Sequence, residues 1–143
     1  MKVEYLGYVT LNFYRMNRLT LQGLDSLCRT NLVELKFIRR LKRINVPPTR
    51  RMLCTRDMRM LDSEQGRIAF NFSFPINSPA YDARSKNLLP VFDIIFQDWR
   101  NIPVESVMVM MAIPTNPQKT FWEYFDRVLR KMTKPQKQAF INK

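Results

Sequence analysis

Along most of this chain apolar residues recur at every second position in short runs, a period that suits a sheet and not a helical bundle. Between Val3 and Phe13 the apolar positions Val3, Tyr5, Val9, Leu11 and Phe13 alternate with Glu4, Thr10 and Asn12, which predicts a half-buried strand. Val33, Leu35 and Phe37 alternate with Glu34 and Lys36, and Arg51-Met52-Leu53-Cys54-Thr55 follows after Pro47-Pro48. These are two strands joined by a basic turn. Residues 67–74 alternate most clearly, with Ile68, Phe70, Phe72 and Phe74 against Ala69, Asn71 and Ser73, and another strand is expected there. Residues 88–96, 99–102 and 106–112 complete the set. The run Val107-Met108-Val109-Met110-Met111 is apolar on both faces and is expected to lie deep or under the C-terminal helix. The polar stretch 77–87, which includes Pro79, is expected to be a surface loop.

Two places break this period. Thr20 precedes Leu21, Leu24, Leu27 and Cys28, the spacing of one helical face, and Asn31 offers a stop. After Pro114 and Pro117, Thr120-Phe121-Trp122-Glu123 fits a capping box, and Phe121, Tyr124, Phe125, Val128, Leu129 and Met132 recur at three and four residues. Thr133-Lys134-Pro135-Gln136 is a second start signal, predicting a short helix to Ile141 with Phe140 turned back. The expected architecture is mostly β with flanking helices. Residues 1–113 would hold an N-terminal strand, a short helix and a small barrel, and residues 114–143 an amphipathic helical extension packed on it.

Charge narrows the function. Lys and Arg number 24 against 12 Asp and Glu, a formal charge of +12, so the natural partners are anionic. There is no histidine, which excludes the Ser-His-Asp triad, the Cys-His pair and histidine-ligated zinc. Cys28 and Cys54 cannot complete a four-ligand metal site, and their apolar neighbours mark them as small buried hydrophobes. Asp57, Glu64, Asp93 and Asp98 lack the spacing of magnesium-binding nuclease carboxylates. The expectation is a non-enzymatic protein without a cofactor. No apolar run approaches a membrane span, and the start carries no basic leader, so a cytoplasmic protein with no membrane partner is expected.

The segments Asn31-Leu32-Val33-Glu34-Leu35-Lys36-Phe37, Arg51-Met52-Leu53-Cys54-Thr55, Val91-Phe92-Asp93, Trp99-Arg100 and Ser106-Val107 resemble the strand pattern of a phage-encoded, Sm-like SH3-type β-barrel family, distantly related to WYL domains. The resemblance covers residues 27–109. It implies a small barrel preceded by a short helix, in a phage protein that works in the host cytoplasm. The chain departs from the family at the hairpin turn, where Arg39-Arg40-Leu41-Lys42-Arg43 and two prolines replace a short acidic-glycine turn, and at the longer stretch 62–87.

Between residues 39 and 59 stand Arg39, Arg40, Lys42, Arg43, Arg50, Arg51, Arg56 and Arg59, eight basic groups against the single acid Asp57. Seven are arginines, whose planar forks hold phosphate oxygens in pairs and stack on bases. These eight are the candidate nucleic-acid-binding residues, for RNA or DNA, largely independent of sequence. The rival expectation is a protein-interaction module docking on an acidic host or phage protein, favoured by Trp122 and its aromatic neighbours if one barrel cannot bury them. A third is a structural component of a larger assembly. Phe70, Phe72 and Phe74 could stack on bases, but a stripe of this kind is more often core, and Tyr8, Tyr14 and Tyr81 are alternatives. Trp99-Arg100 with Asp93 and Asp98 is either a ligand pocket or a packed indole beside a structural Arg-Asp pair.

Overall fold

The computed structural model describes residues 19–41, 44–70 and 86–142. The expected strand at 3–13, the aromatics Phe72 and Phe74 and the three tyrosines lie outside them.

Helix α1 (Leu21–Thr30) begins where Thr20 Oγ1 accepts a hydrogen bond from the Gly23 amide at 3.0 Å. The backbone turns extended at Asn31 and runs into β1 (Asn31–Ile38), then the basic turn and β2 (Thr49–Thr55). Helices α2 (Met58–Leu61) and α3 (Glu64–Phe70) follow, then β3 (Leu88–Asp93), β4 (Asp98–Pro103), a 3₁₀ turn (Val104–Ser106) and β5 (Met108–Pro114). Two more helices close the chain, α4 (Gln118–Arg127) and α5 (Lys134–Ile141), with a 3₁₀ turn at Leu129–Lys131 between them.

The strands form one antiparallel sheet in the order β4-β3-β2-β1-β5. β4 and β5 remain its two edges, so the pairing is that of an open sheet, and the closed barrel expected from sequence is corrected to that extent. Each edge strand ends in a proline, Pro103 or Pro114, which has no backbone donor to extend a ladder.

Both faces are covered. Val33, Leu35, Phe37, Met52 and Cys54 share one core with Leu24, Leu27 and Cys28 of α1, as the alternation predicts. The opposite face is not left to solvent. Leu32, Leu53 and Phe92 pack there against Met60 and Leu61 of α2 and against Phe121, Trp122 and Phe125 of α4. Glu34 is therefore buried, paired with Arg51, whose guanidinium lies 4.3 Å from the centre of the Phe140 ring of α5.

Three local expectations are corrected. Residues 67–70 end helix α3 instead of opening a strand. Ser63 Oγ accepts from the Gly66 amide at 3.0 Å, and in the helical period Phe70 turns inward while Ile68, 79% exposed, turns out. The capping box at Thr120 does not form, because α4 already starts at Gln118 after Pro117; the box at Thr133 and Gln136 does, with both of its hydrogen bonds. Val107 closes the 3₁₀ turn and residues 108–111 lie on an edge strand, where Val109 is buried but Met108 is 49% exposed.

Candidate nucleic-acid interface

The sheet is tightly paired at both ends and nearly unpaired in its middle. β1 and β2 share six residue pairs, as do β3 and β4, whereas β2 meets β3 only at Cys54↔Asp93 and Thr55↔Phe92. From that junction the two hairpins diverge, and a cleft of about 570 Å³ opens between them. Its walls include Arg39 and Arg40 beyond β1, Arg50 on β2, and Trp99, Arg100 and Asn101 on β4.

Asp93 organises its inner end. Only 2% of this side chain is exposed; its Oδ1 accepts from the Ile95 and Phe96 amides at 3.0 Å each, which starts the β3–β4 turn. Its Oδ2 faces Arg50 Nη2 at 3.0 Å and Arg100 Nε at 3.5 Å. Burial pushes the Asp93 carboxyl above its ordinary range and outweighs the two arginines and the two amides that pull it down. Burial likewise lowers the Arg50 guanidinium, against the attraction of Asp93. Trp99 packs edge-on against Phe92 at 5.7 Å and also lines the cleft, so the indole is packed, the Arg-Asp pair exists, and both border a cavity.

At the outer end Arg40 bridges the hairpins, contacting Glu105 Oε1 at 2.6 Å and donating to the Lys86 carbonyl at 2.8 Å. Arg39 donates to the carbonyls of Pro47 and Thr49 and so ties the turn back on itself.

The other predicted basic residues are dispersed. Arg51 holds Glu34 on the opposite face. Arg56 pairs with Asp25 of α1 at 2.7 Å and donates to the Pro90 carbonyl. Arg59 is exposed on α2, and Lys42 and Arg43 lie outside the described residues. Of the eight, the structure brings Arg39, Arg40 and Arg50 together and adds Arg100 and Asn101, which come from a strand fifty residues further on. The Trp99-Arg100 dipeptide was the available signal for these. The four acids Asp57, Glu64, Asp93 and Asp98 are separated by role: Asp57 caps α2 by accepting from the Arg59 and Met60 amides, Glu64 opens α3, Asp93 holds two arginines, and Asp98 accepts from the Trp99 amide at 2.9 Å.

Cys28 and Cys54 are both fully buried, and the Cys54 thiol is raised well above its ordinary value by a hydrogen bond with Cys28 and by burial. Neither thiol is available as a nucleophile. Among the described residues no helix is long and apolar enough to cross a membrane. Comparison with family models, with curated proteins and with solved structures gave no match.

Proposed function

We propose that this is a small, basic, non-enzymatic protein that binds RNA or DNA through phosphate contacts in the cleft and along the adjoining basic turn. The observation that carries this reading is the convergence of four arginines on one concavity, in a chain with a formal charge of +12. Forked guanidinium donors suit phosphate oxygens, and contacts of this kind give affinity with little sequence preference. A helix that leads into a β1–β2 hairpin, within one five-stranded antiparallel sheet, supports relating the fold to the Sm-like SH3-type family, here with α2 and α3 inserted between β2 and β3 and the sheet left open; with that relation go a phage origin and a cytoplasmic setting.

The test is a salt titration of oligonucleotide binding. Affinity should fall steeply with salt, and the double variant Arg40→Gln/Arg100→Gln should flatten the logarithmic slope by about 1.5 units, somewhat less than one per lost contact. An unchanged slope would place any binding elsewhere. Arg51 is not a suitable target, because its ion pair with Glu34 helps to seat α5.

One observation favours a second reading, docking on an acidic protein. Leu41 is 76% and Ile44 91% exposed at the basic turn, with Ile38 and Val46 also open to solvent. Aliphatic tips offer bases no stacking surface, whereas they would fill an apolar groove with an acidic rim. Trp122 and its neighbours no longer argue for a partner, since Phe121, Trp122 and Phe125 are all buried against the sheet.

A further inference from the structure

The cleft is selective by both shape and charge. Arg39, Arg40, Arg50 and Arg100 line it; the carboxylates paired with them are Asp93, shared by Arg50 and Arg100, and Glu105, held by Arg40. Among the described residues no carboxylate pairs with Arg39, whose bonds go to main-chain carbonyls. Among the described residues, four cations against two anions leave a surplus of two positive charges around this cavity.

That surplus discriminates between kinds of phosphate. An internal phosphodiester carries one negative charge, but a phosphate monoester carries about −1.5 to −2 near neutral pH and offers three acceptor oxygens. Shape selects in the same direction. Internal phosphates run along a continuous backbone that lies across a surface, and a cleft bounded at its inner end by the Cys54↔Asp93 junction and bridged at its outer end by Arg40 admits an end more readily than a through-going strand. The volume of about 570 Å³ falls within the range of roughly 300–1,000 Å³ typical of pockets that enclose a small ligand. Room therefore remains for a terminal nucleoside beside Trp99 and Asn101.

We infer that the cleft between the two hairpins binds a phosphate monoester, presented as the phosphorylated end of a nucleic-acid strand. Arg100 is a partly exposed contact: its side chain is 35% exposed and its Nε stands 3.5 Å from Asp93, a longer separation than the 3.0 Å of Arg50. Arg50 is held more tightly and supplies a fixed positive wall. This inference rests on the nucleic-acid reading above and adds to it the chemistry of the end.

The experiment compares one oligonucleotide carrying a 5′-phosphate, a 3′-phosphate or hydroxyls at both ends, at a single low salt concentration. At least one phosphorylated form should bind roughly tenfold more tightly than the hydroxyl form, the scale of one additional charge-assisted contact. Asn101→Asp, which adds an anion to the cleft wall without removing an existing ion pair, should bring that preference to parity, as should Arg100→Gln, with thermal midpoints close to the parent's. Equal affinity for all three ends in the parent would overturn the inference and leave general nucleic-acid binding standing. Failure of every strand to bind would remove both. A nucleoside monophosphate that competes as well, mole for mole, as the phosphorylated strand would overturn the assignment to strand ends and make the free nucleotide the ligand.

Discussion

Asp93 shows how one side chain can serve the fold and the cleft together. It satisfies two turn amides and pairs with two arginines from a nearly fully buried position. Asp93→Ala should cost about 3–5 kcal/mol in denaturant unfolding, because it leaves the buried Arg50 without its counterion. The pH dependence has a definite sign. The folded chain holds the Asp93 proton more tightly than the unfolded one, so this group's contribution to stability is greatest below the ordinary carboxylate pKa. It declines as pH rises through the window up to the raised folded value. Comparing the pH profile of stability for the parent and Asp93→Ala isolates that decline. Gly66 is fixed for a steric reason: a Cβ there would stand 2.8 Å from the Leu61 carbonyl carbon and nearer still to the Met60 and Leu61 oxygens. Gly66→Ala should therefore lower the thermal midpoint despite alanine's better helix propensity.

The elements differ in how plainly their sequences announce them. α1, β1, β2 and α5 were legible because local signals agree with the final environment. Thr20 and Thr133 cap their helices, and the alternation of β1 matches a core on one side. α3 was not legible. The alternation through Ile68 and Phe70 has the period of a strand, and only the docking of α3 beside α2 and α4 selects the helical period that buries Phe70. The two periods make opposite predictions for Ile68. Ile68→Lys should change stability by less than about 0.5 kcal/mol, whereas Phe70→Ala should cost about 3–5 kcal/mol; a large loss at Ile68 in urea unfolding would restore the strand. α4 was found from its apolar spacing but misplaced at its start, since Pro117 opens the helix before Thr120 can cap it. Leu129, just beyond α4, lies in the outer core, and Leu129→Ala should cost about 2–5 kcal/mol by the same measurement.

Taken whole, the molecule is a sheet with a core on each face and a cleft where its two hairpins part. The class of fold follows from periodicity, because residues two apart share a face whatever surrounds them. The formal charge of +12 follows from composition, because net charge needs no coordinates. Neither carries the site. The arginine cluster at 39–59 was visible as a run of charge, yet its members project to different places: Arg51 to the outer face, Arg56 toward α1, Arg39, Arg40 and Arg50 to the cleft. Whether a given arginine is a strut or a contact depends on which carboxylate the fold sets beside it, and those carboxylates come from Asp25, Glu34, Asp93 and Glu105, far apart along the chain. Arg100 reaches the cleft through the pairing Val91↔Arg100 and the divergence of β3 from β2. Local sequence thus determined the periods, the caps and the charge, since each is a property of neighbouring residues. Only the tertiary structure decided which charges are paired and which line the cleft, since ion pairing depends on distances that long-range strand pairing sets.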